Sequence, residues 1–198
     1  MKHFNHNKSI LKEKLVNREF TLGSWLTIPN RAIVEVMGLT KIDWIVIDIE
    51  HSPISIDQVC ELIAHTQANG MQSLVRVGSN DELIIKRVLD SGADGIIVPM
   101  VKDKYDVERL INFSKYPPAG TRGVGLNRAQ KYGAGFDSYT SWVENKIVLI
   151  AQIEHVEAVN NLEEILSFDE IDGIIIGPYD LSASMGFPGK YNKKEVKD

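Results

Sequence analysis

Apolar residues gather in six short runs, which polar and amphipathic stretches separate along the chain. Several runs are dominated by Ile and Val, such as WIVIDI at 44–49 and IVLIAQI at 147–153. Short runs that are apolar on both faces are typical of strands buried in a parallel sheet. The predicted strands cover residues 20–27, 44–49, 73–77, 95–98, 147–153 and 173–176.

Amphipathic segments occupy the intervals between the predicted strands. The predicted helices cover residues 10–17, 31–39, 55–68, 81–91, 103–113 and 155–166. Ser55 is the expected N-cap of the third helix and Asn80 of the fourth, which we expect to stop at Gly92. The weakly periodic segment 116–142 is rich in glycine, and we expect a functional loop or one with short helices of its own.

Regular alternation of strands and helices predicts an α/β fold with a parallel sheet, and specifically a (β/α)₈ TIM barrel. The chain of 198 residues carries six such units in one domain, residues 1–198. A closed barrel needs eight strands and typically about 250 residues. We therefore expect the sequence to be truncated at its C-terminal end, with open edges on the first and sixth strands.

Composition narrows the possible functions. With 43% hydrophobic and 25% charged residues, the chain is typical of globular proteins, and its net charge of −5 argues against a nucleic-acid partner. Cys60 is the single cysteine, so no intramolecular disulfide can form. No apolar run approaches the roughly 20 residues of a membrane span, and no signal-peptide core is present. We expect a cytoplasmic protein without membrane contact.

Charged side chains follow four of the predicted strands, always at the carboxyl end. In a barrel these ends form one ring, and ligands bind there. Singly, each residue has a simpler explanation: a carboxylate can cap the next helix, a histidine can be solvated, and an arginine can be a structural ion-pair partner. Together they predict a site built from Asp48, Glu50, His51, Arg76, Glu154 and Asp180.

The residue types at this ring favour metal chemistry with oxygen ligands. Glu154 and Asp180, from adjacent strands, can hold a hard divalent cation and leave positions for water and substrate. Arg76 suits a substrate carboxylate, and His51 can exchange protons near neutral pH. A 2-oxo acid held on a metal would use all four side chains. The tryptophans Trp25, Trp44 and Trp142 are interpreted as core or interface packing.

A series of ordered motifs accompanies these residues over nearly the whole chain. They lie at 23–25 (GSW), 43–44 (DW), 48–51 (DIEH), Arg76, 89–93 (LDSGA), 99–101 (PMV), 116–123 (YPPAGTRG), 152–154 (QIE) and 177–186 (GPYDLSASMG). In these motifs the sequence resembles the HpcH/HpaI family of class II, metal-dependent pyruvate aldolases.

The resemblance implies roles for individual residues. Glu154 and Asp180 match the family's ligands for Mg²⁺, Mn²⁺ or Co²⁺. Arg76 matches the residue that engages pyruvate, and His51 matches one that takes part in proton transfer. A larger set matches the remainder of the family's site: Asp90 as the partner of that histidine, Asp48 and Glu50 as further acids, and Gln152, Gly177 and Pro178 around the substrate.

The activity implied is cleavage or formation of a 4-hydroxy-2-oxo acid from pyruvate and an aldehyde, through a metal-stabilised enolate. Two alternatives stay open: a citrate-synthase-like condensing enzyme of siderophore biosynthesis, and a non-catalytic barrel that binds a ligand. The resemblance also implies a homo-oligomer, hexameric in the full-length family. Tyr179 is larger than the residue that some members carry there, so the sequence does not define the aldehyde pocket.

Overall fold

The computed structural model describes residues 10–198, in which six parallel strands alternate with helices. The strands are β1 (Gly23–Leu26), β2 (Trp44–Asp48), β3 (Gln72–Arg76), β4 (Gly95–Val98), β5 (Val148–Ile153) and β6 (Gly173–Ile176). The helices are α1 (Ile10–Val16), α2 (Arg31–Gly38), α3 (Ile56–Ala68), α4 (Glu82–Asp90), α5 (Lys104–Ser114), α6 (Phe136–Lys146), α7 (Val156–Asn160), α8 (Leu162–Ile165), α9 (Pro178–Ser184) and α10 (Lys194–Lys197).

Each strand pairs in parallel with the next strand along the chain, so the spatial order is β1-β2-β3-β4-β5-β6. The sheet curls into a half-barrel, as expected for six consecutive units of a (β/α)₈ barrel. Among the described residues, β1 and β6 each pair with a single strand. The prediction of a parallel barrel sheet with two open edges is confirmed.

Apolar side chains fill both faces of the sheet. The larger core lies between the strands and the surrounding helices. The smaller one lies on the concave face and contains Val46, Leu74, Ile97 and Val148. Because side chains alternate between the faces of a strand, the residues two positions further along point the same way. This alternation carries Asp48 and Arg76 to the concave face, at the carboxyl end of the sheet.

Helix α1 lies against the amino-terminal ends of the strands. Leu11 packs into the concave-face core, and its backbone N–H donates to the Gln72 side chain. Lys12 Nζ lies 2.5 Å from Asp172 Oδ1, and Lys14 Nζ lies 2.5 Å from Asp43 Oδ1. Asp43 and Asp172 directly precede β2 and β6, so these ion pairs hold α1 at the end of the half-barrel opposite the predicted site.

The helix boundaries confirm some predicted caps and correct others. Ser55 caps α3 in a reciprocal capping box with Gln58. The predicted cap of α4 was wrong: Asp81 caps it by accepting from Ile84 N, whereas Asn80 donates to the carbonyl of Asp106.

Two longer segments also differ from the prediction. The predicted helix 155–166 is divided at Asn161 into α7 and α8. The segment 116–142 contains the start of α6 and a short 3₁₀ helix, Lys131–Gly133, which agrees with the expectation of short helices in that region.

Candidate active site

A cavity of about 440 Å³ opens at the carboxyl ends of the strands on the concave face. It draws on both edges of the sheet, since Trp25 comes from β1 and Asp180 follows β6. Its lining is Trp25, His51, Arg76, Gln152, Glu154, Ile175, Ile176, Gly177, Pro178, Tyr179 and Asp180. Seven of the ten residues assigned to the site from the sequence therefore share one cavity; Asp48, Glu50 and Asp90 are not part of its lining.

Arg76 and Asp48 form a two-point ion pair at the floor of this site. They are direct neighbours in the β2–β3 register, with Arg76 Nε donating to Asp48 Oδ1 at 2.9 Å and Nη2 to Oδ2 at 2.6 Å. Burial opposes the charged form of the carboxyl, but these bonds outweigh it and lower the pKa of Asp48 below its ordinary value. Burial likewise opposes the charged guanidinium, while Asp48 raises the pKa of Arg76.

Trp25 supports the same guanidinium from the other side. The Arg76 Cζ atom lies 4.5 Å from the centre of the Trp25 ring, which is a cation–π distance. The interpretation of Trp25 as packing alone was incomplete, because its ring both contacts Arg76 and lines the cavity. The sequence pattern of β1 could have indicated this role. Side chains alternate along the strand, so Trp25 lies on the same face as Gly23. The absence of a Cβ at Gly23 leaves room there for the Trp44 ring.

The turn after β2 places the side chains of Glu50 and His51 at the carboxyl end of the sheet. Asp48 Oδ1 accepts from the backbone N–H of Glu50 at 3.0 Å and of His51 at 3.3 Å, which fixes this turn. Glu50 Oε2 lies 3.3 Å from Arg76 Nε, which is an ion-pair distance, and 3.8 Å from His51 Nε2. This buried oxygen accepts no hydrogen bond within residues 10–198.

The surroundings of Glu50 shift its pKa in the direction opposite to the shift at Asp48. Burial raises the pKa of Glu50 above its ordinary value, and the negative charge of Glu154 acts in the same direction, against the opposing effect of Arg76. The His51 side chain remains 60% exposed at the rim, where a ligand can reach it.

Glu154 follows the last residue of β5 and is only 2% exposed. Its Oε1 accepts from Met100 N at 2.8 Å, and its Oε2 accepts from Gln152 Nε2 at 2.5 Å. Gly177 is required beside it, since a Cβ there would lie 2.5 Å from Glu154 Oε2. Neutral donors and a glycine therefore hold this carboxylate in place without cancelling its charge.

Asp180 lies in the first turn of α9, one turn beyond the break that Gly177 and Pro178 make after β6. It is exposed, and within the described part of the chain its carboxylate accepts no hydrogen bond and forms no ion pair.

The donor set fits a hard divalent cation. Four carboxylates, from Asp48, Glu50, Glu154 and Asp180, converge on a rim whose permanent cation is Arg76. Within residues 10–198 no group of three or more His, Cys, Asp or Glu side chains is arranged to enclose an ion. A cation here would therefore take Glu154 and Asp180, with water and substrate completing its coordination.

Within residues 10–198, Asp90 is the one assigned residue that neither lines the cavity nor contacts a residue that does, whereas Asp48 and Glu50 both contact Arg76. It is the last residue of α4 and lines a separate depression with Ile56, Asp57 and Cys60 of α3. Its Oδ1 accepts from Arg122 Nη2 at 2.6 Å and from Gln130 Nε2 at 3.0 Å. Within one chain, Asp90 thus anchors segment 116–142 to α4, and it is not paired with His51.

Comparison with known proteins agrees with the fold. The sequence profile of the HpcH/HpaI aldolase/citrate lyase family matches residues 21–198. The chain is 36% identical to a hydroxypyruvate/pyruvate aldolase of Sagittula stellata over 96% of its own length and 75% of that protein. It is 35% identical to a 2-keto-3-deoxy-L-rhamnonate aldolase of Escherichia coli K12 over 94% of its length and 70% of that protein.

A solved structure extends the comparison to the alternative activity. The citrate synthase SbnG superposes with a TM-score of 0.84 at 33% identity, covering 94% of this chain and 73% of that one. The family profile and the aldolase relatives show that the chain belongs to the HpcH/HpaI aldolase/citrate lyase family, and that it is an aldolase-family enzyme.

Within residues 10–198 no helix is long and apolar enough to cross a bilayer.

Proposed function

We propose that this protein is a divalent-metal-dependent aldolase that forms and cleaves 4-hydroxy-2-oxo acids, with pyruvate as one product of cleavage. One observation carries the proposal: a guanidinium, two carboxylates and an imidazole line the same cavity at the strand ends. These are the groups that a 2-oxo acid and its proton transfers need.

Arg76 is the group that binds the substrate carboxylate. Three of its five N–H donors are engaged among the described residues, by Asp48 and, at 3.5 Å, by Gln152. One N–H on each terminal nitrogen therefore remains for the ligand. Asp48 and Trp25 hold the guanidinium plane before substrate arrives, which reduces the entropy lost on binding.

Glu154 and Asp180 would hold the metal, Mg²⁺, Mn²⁺ or Co²⁺, beside the 2-oxo group. When bound, the ion supplies positive charge where the pyruvate oxygen becomes negative in the transition state. The protein's contribution is the fixed direction of Glu154, whose two oxygens are set by Met100 N and Gln152 Nε2.

His51 is the group that moves the proton. In cleavage, it accepts the proton of the C4 hydroxyl while the C3–C4 bond breaks and the aldehyde leaves. The bonding electron pair stays on the pyruvate fragment, and protonation at C3 then gives pyruvate. Its exposure at the rim gives His51 access to both substrate and water.

The likeness to a citrate synthase supports a second candidate, condensation of a 2-oxo acid with an acyl donor. Two incubations distinguish the two: one with a 4-hydroxy-2-oxo acid, in which pyruvate is measured, and one with oxaloacetate and acetyl-CoA, in which citrate is measured. Metal-dependent pyruvate release from the hydroxy acid supports the aldolase. Citrate formation from oxaloacetate and acetyl-CoA, without pyruvate release, supports the condensing enzyme. Absence of both products, with ligand binding retained, supports a binding protein.

A further inference from the structure

The cavity has two chemically different ends. Its deep end is polar and buried: Gln152 is 3% exposed, Glu154 is 2% exposed, and the Arg76 side chain is 14% exposed. Its outer wall is open and carries the apolar side chains of Tyr179, which is 62% exposed, and Ile176, beside the exposed side chains of His51 and Asp180. On the proposed function, pyruvate occupies the deep end, so the aldehyde meets the outer wall.

The Tyr179 ring is held in position at this wall. After α9, the chain turns through Gly186 and Gly189, whose φ angles are 82° and 73°. This brings Tyr191 against Tyr179, with ring centres 5.1 Å apart and planes inclined at 55°. The tilted pair restricts Tyr179 on one side while its exposure leaves the ring accessible from the cavity.

Charge at the same rim disfavours a second anion on the aldehyde. The carboxylates of Asp48, Glu50, Glu154 and Asp180 outnumber Arg76, and the set keeps a negative formal charge even with one divalent cation added. Arg76 is shared between Asp48 and the pyruvate carboxylate. An acceptor that carries its own carboxylate therefore approaches charges of like sign in a partly desolvated site.

We propose that Tyr179 is a specificity-determining residue that selects neutral aldehydes with an aromatic substituent over aldehydes that carry a carboxylate. The substituent stacks on the ring face that Tyr179 presents to the cavity. This inference rests on the proposed aldolase function and assigns its acceptor class. In the synthetic direction, His51 takes a proton from C3 of pyruvate, C3 then bonds to the aldehyde carbon, and the aldehyde oxygen takes that proton from His51.

The test compares kcat/KM for benzaldehyde with kcat/KM for succinic semialdehyde, with pyruvate and Mn²⁺ saturating. The wild-type ratio should exceed one. Tyr179→Ala should lower it about fivefold, which corresponds to about 1 kcal/mol, the scale of an aromatic pair. Tyr179→Phe should hold the ratio within about twofold, because it retains the ring face.

Tyr105→Ala is the matched control, since Tyr105 is also 62% exposed but lies on α5 outside the cavity lining. Its ratio should equal the wild-type ratio. Tyr179→Leu, which keeps bulk without an aromatic face, replaces Tyr179→Ala if circular dichroism shows that the alanine variant is unfolded.

The outcomes separate the two hypotheses. An active wild type whose ratio is unchanged in Tyr179→Ala or Tyr179→Leu, or is below one from the start, overturns the inference about Tyr179 alone. A folded wild type that condenses pyruvate with neither aldehyde, nor cleaves any 4-hydroxy-2-oxo acid, overturns the proposed function and the inference with it.

Discussion

Replacing Arg76 with lysine is the most informative single change, because Arg76 both pairs with the buried Asp48 and is the proposed binding group for the substrate carboxylate. The guanidinium donates twice to Asp48, at 2.6 Å and 2.9 Å, and Asp48 is only 2% exposed. Lysine carries the same charge but cannot reproduce the planar fork. It retains one of the two charge-assisted bonds and loses the stacked contact with Trp25.

The expected loss follows from these contacts. A hydrogen bond to a charged group contributes about 1.5–3 kcal/mol, so we expect Arg76→Lys to lower the free energy of unfolding by about 2 kcal/mol. Because the ammonium also presents no fork to pyruvate, kcat/KM should fall by about 10–100-fold, with weaker pyruvate binding contributing to that loss. Urea denaturation and steady-state kinetics measure the two effects separately.

The stability difference should depend on pH with a defined sign. Arg76 lowers the folded-state pKa of Asp48 below its ordinary value of 3.8, so its stabilisation is fully present above that value. It is lost as the pH falls through the lowered folded-state pKa. The gap between wild type and Arg76→Lys should therefore be largest at neutral pH and should shrink below about pH 3.8.

Arg31→Lys provides the control, because the Arg31–Glu61 ion pair joins side chains that are 54% and 59% exposed. Exposed pairs contribute at most about 1 kcal/mol, so this variant should remain close to wild type. Equal stability and equal kinetics of Arg76→Lys and wild type would show that the fork geometry at Arg76 has no role.

Further variants test the remaining parts of the site. Glu154→Gln and Asp180→Asn should each abolish Mn²⁺ binding in calorimetric titration while the circular dichroism spectrum is retained, and unchanged affinity in both would refute their assignment as ligands. His51→Ala should lower turnover by about 10²–10⁴-fold with Mn²⁺ affinity nearly unchanged, and normal turnover would exclude a role in proton transfer. Gly177→Ala places a Cβ 2.5 Å from Glu154 Oε2 and should weaken Mn²⁺ binding by at least about tenfold, a loss of 1.4 kcal/mol, whereas Gly173→Ala, which meets no atom within 4 Å, should not.

Most of the site follows from local sequence because its residues continue the alternation of buried strands. Val46 and Leu74 point into the concave face, so Asp48 and Arg76, two residues further on, had to emerge on that face at the strand ends. Because the strands are parallel and consecutive, their carboxyl ends form one rim. Both features follow from the local pattern of apolar and polar residues, which can be read from a single sequence.

The features that the sequence did not reveal depend on contacts between distant segments. Nothing local indicates that Arg122, which is 1% exposed, would be buried against Tyr139 and the carboxylate of Asp90. This network holds Asp90 away from the cavity. The misplaced cap of α4 has a different cause, because Asn80 and Asp81 are adjacent residues of equally good capping types and only the backbone geometry decides between them.

The central claim is that this rim removes and restores a proton at C3 of pyruvate with the help of a divalent cation. Exchange of the pyruvate methyl protons in D₂O, followed by ¹H NMR with no aldehyde present, measures that step directly. We expect exchange in the presence of Mg²⁺, Mn²⁺ or Co²⁺, its loss after chelation, and its absence in Glu154→Gln under the same conditions. Exchange that continues at the same rate in the chelated enzyme and in Glu154→Gln would contradict the claim.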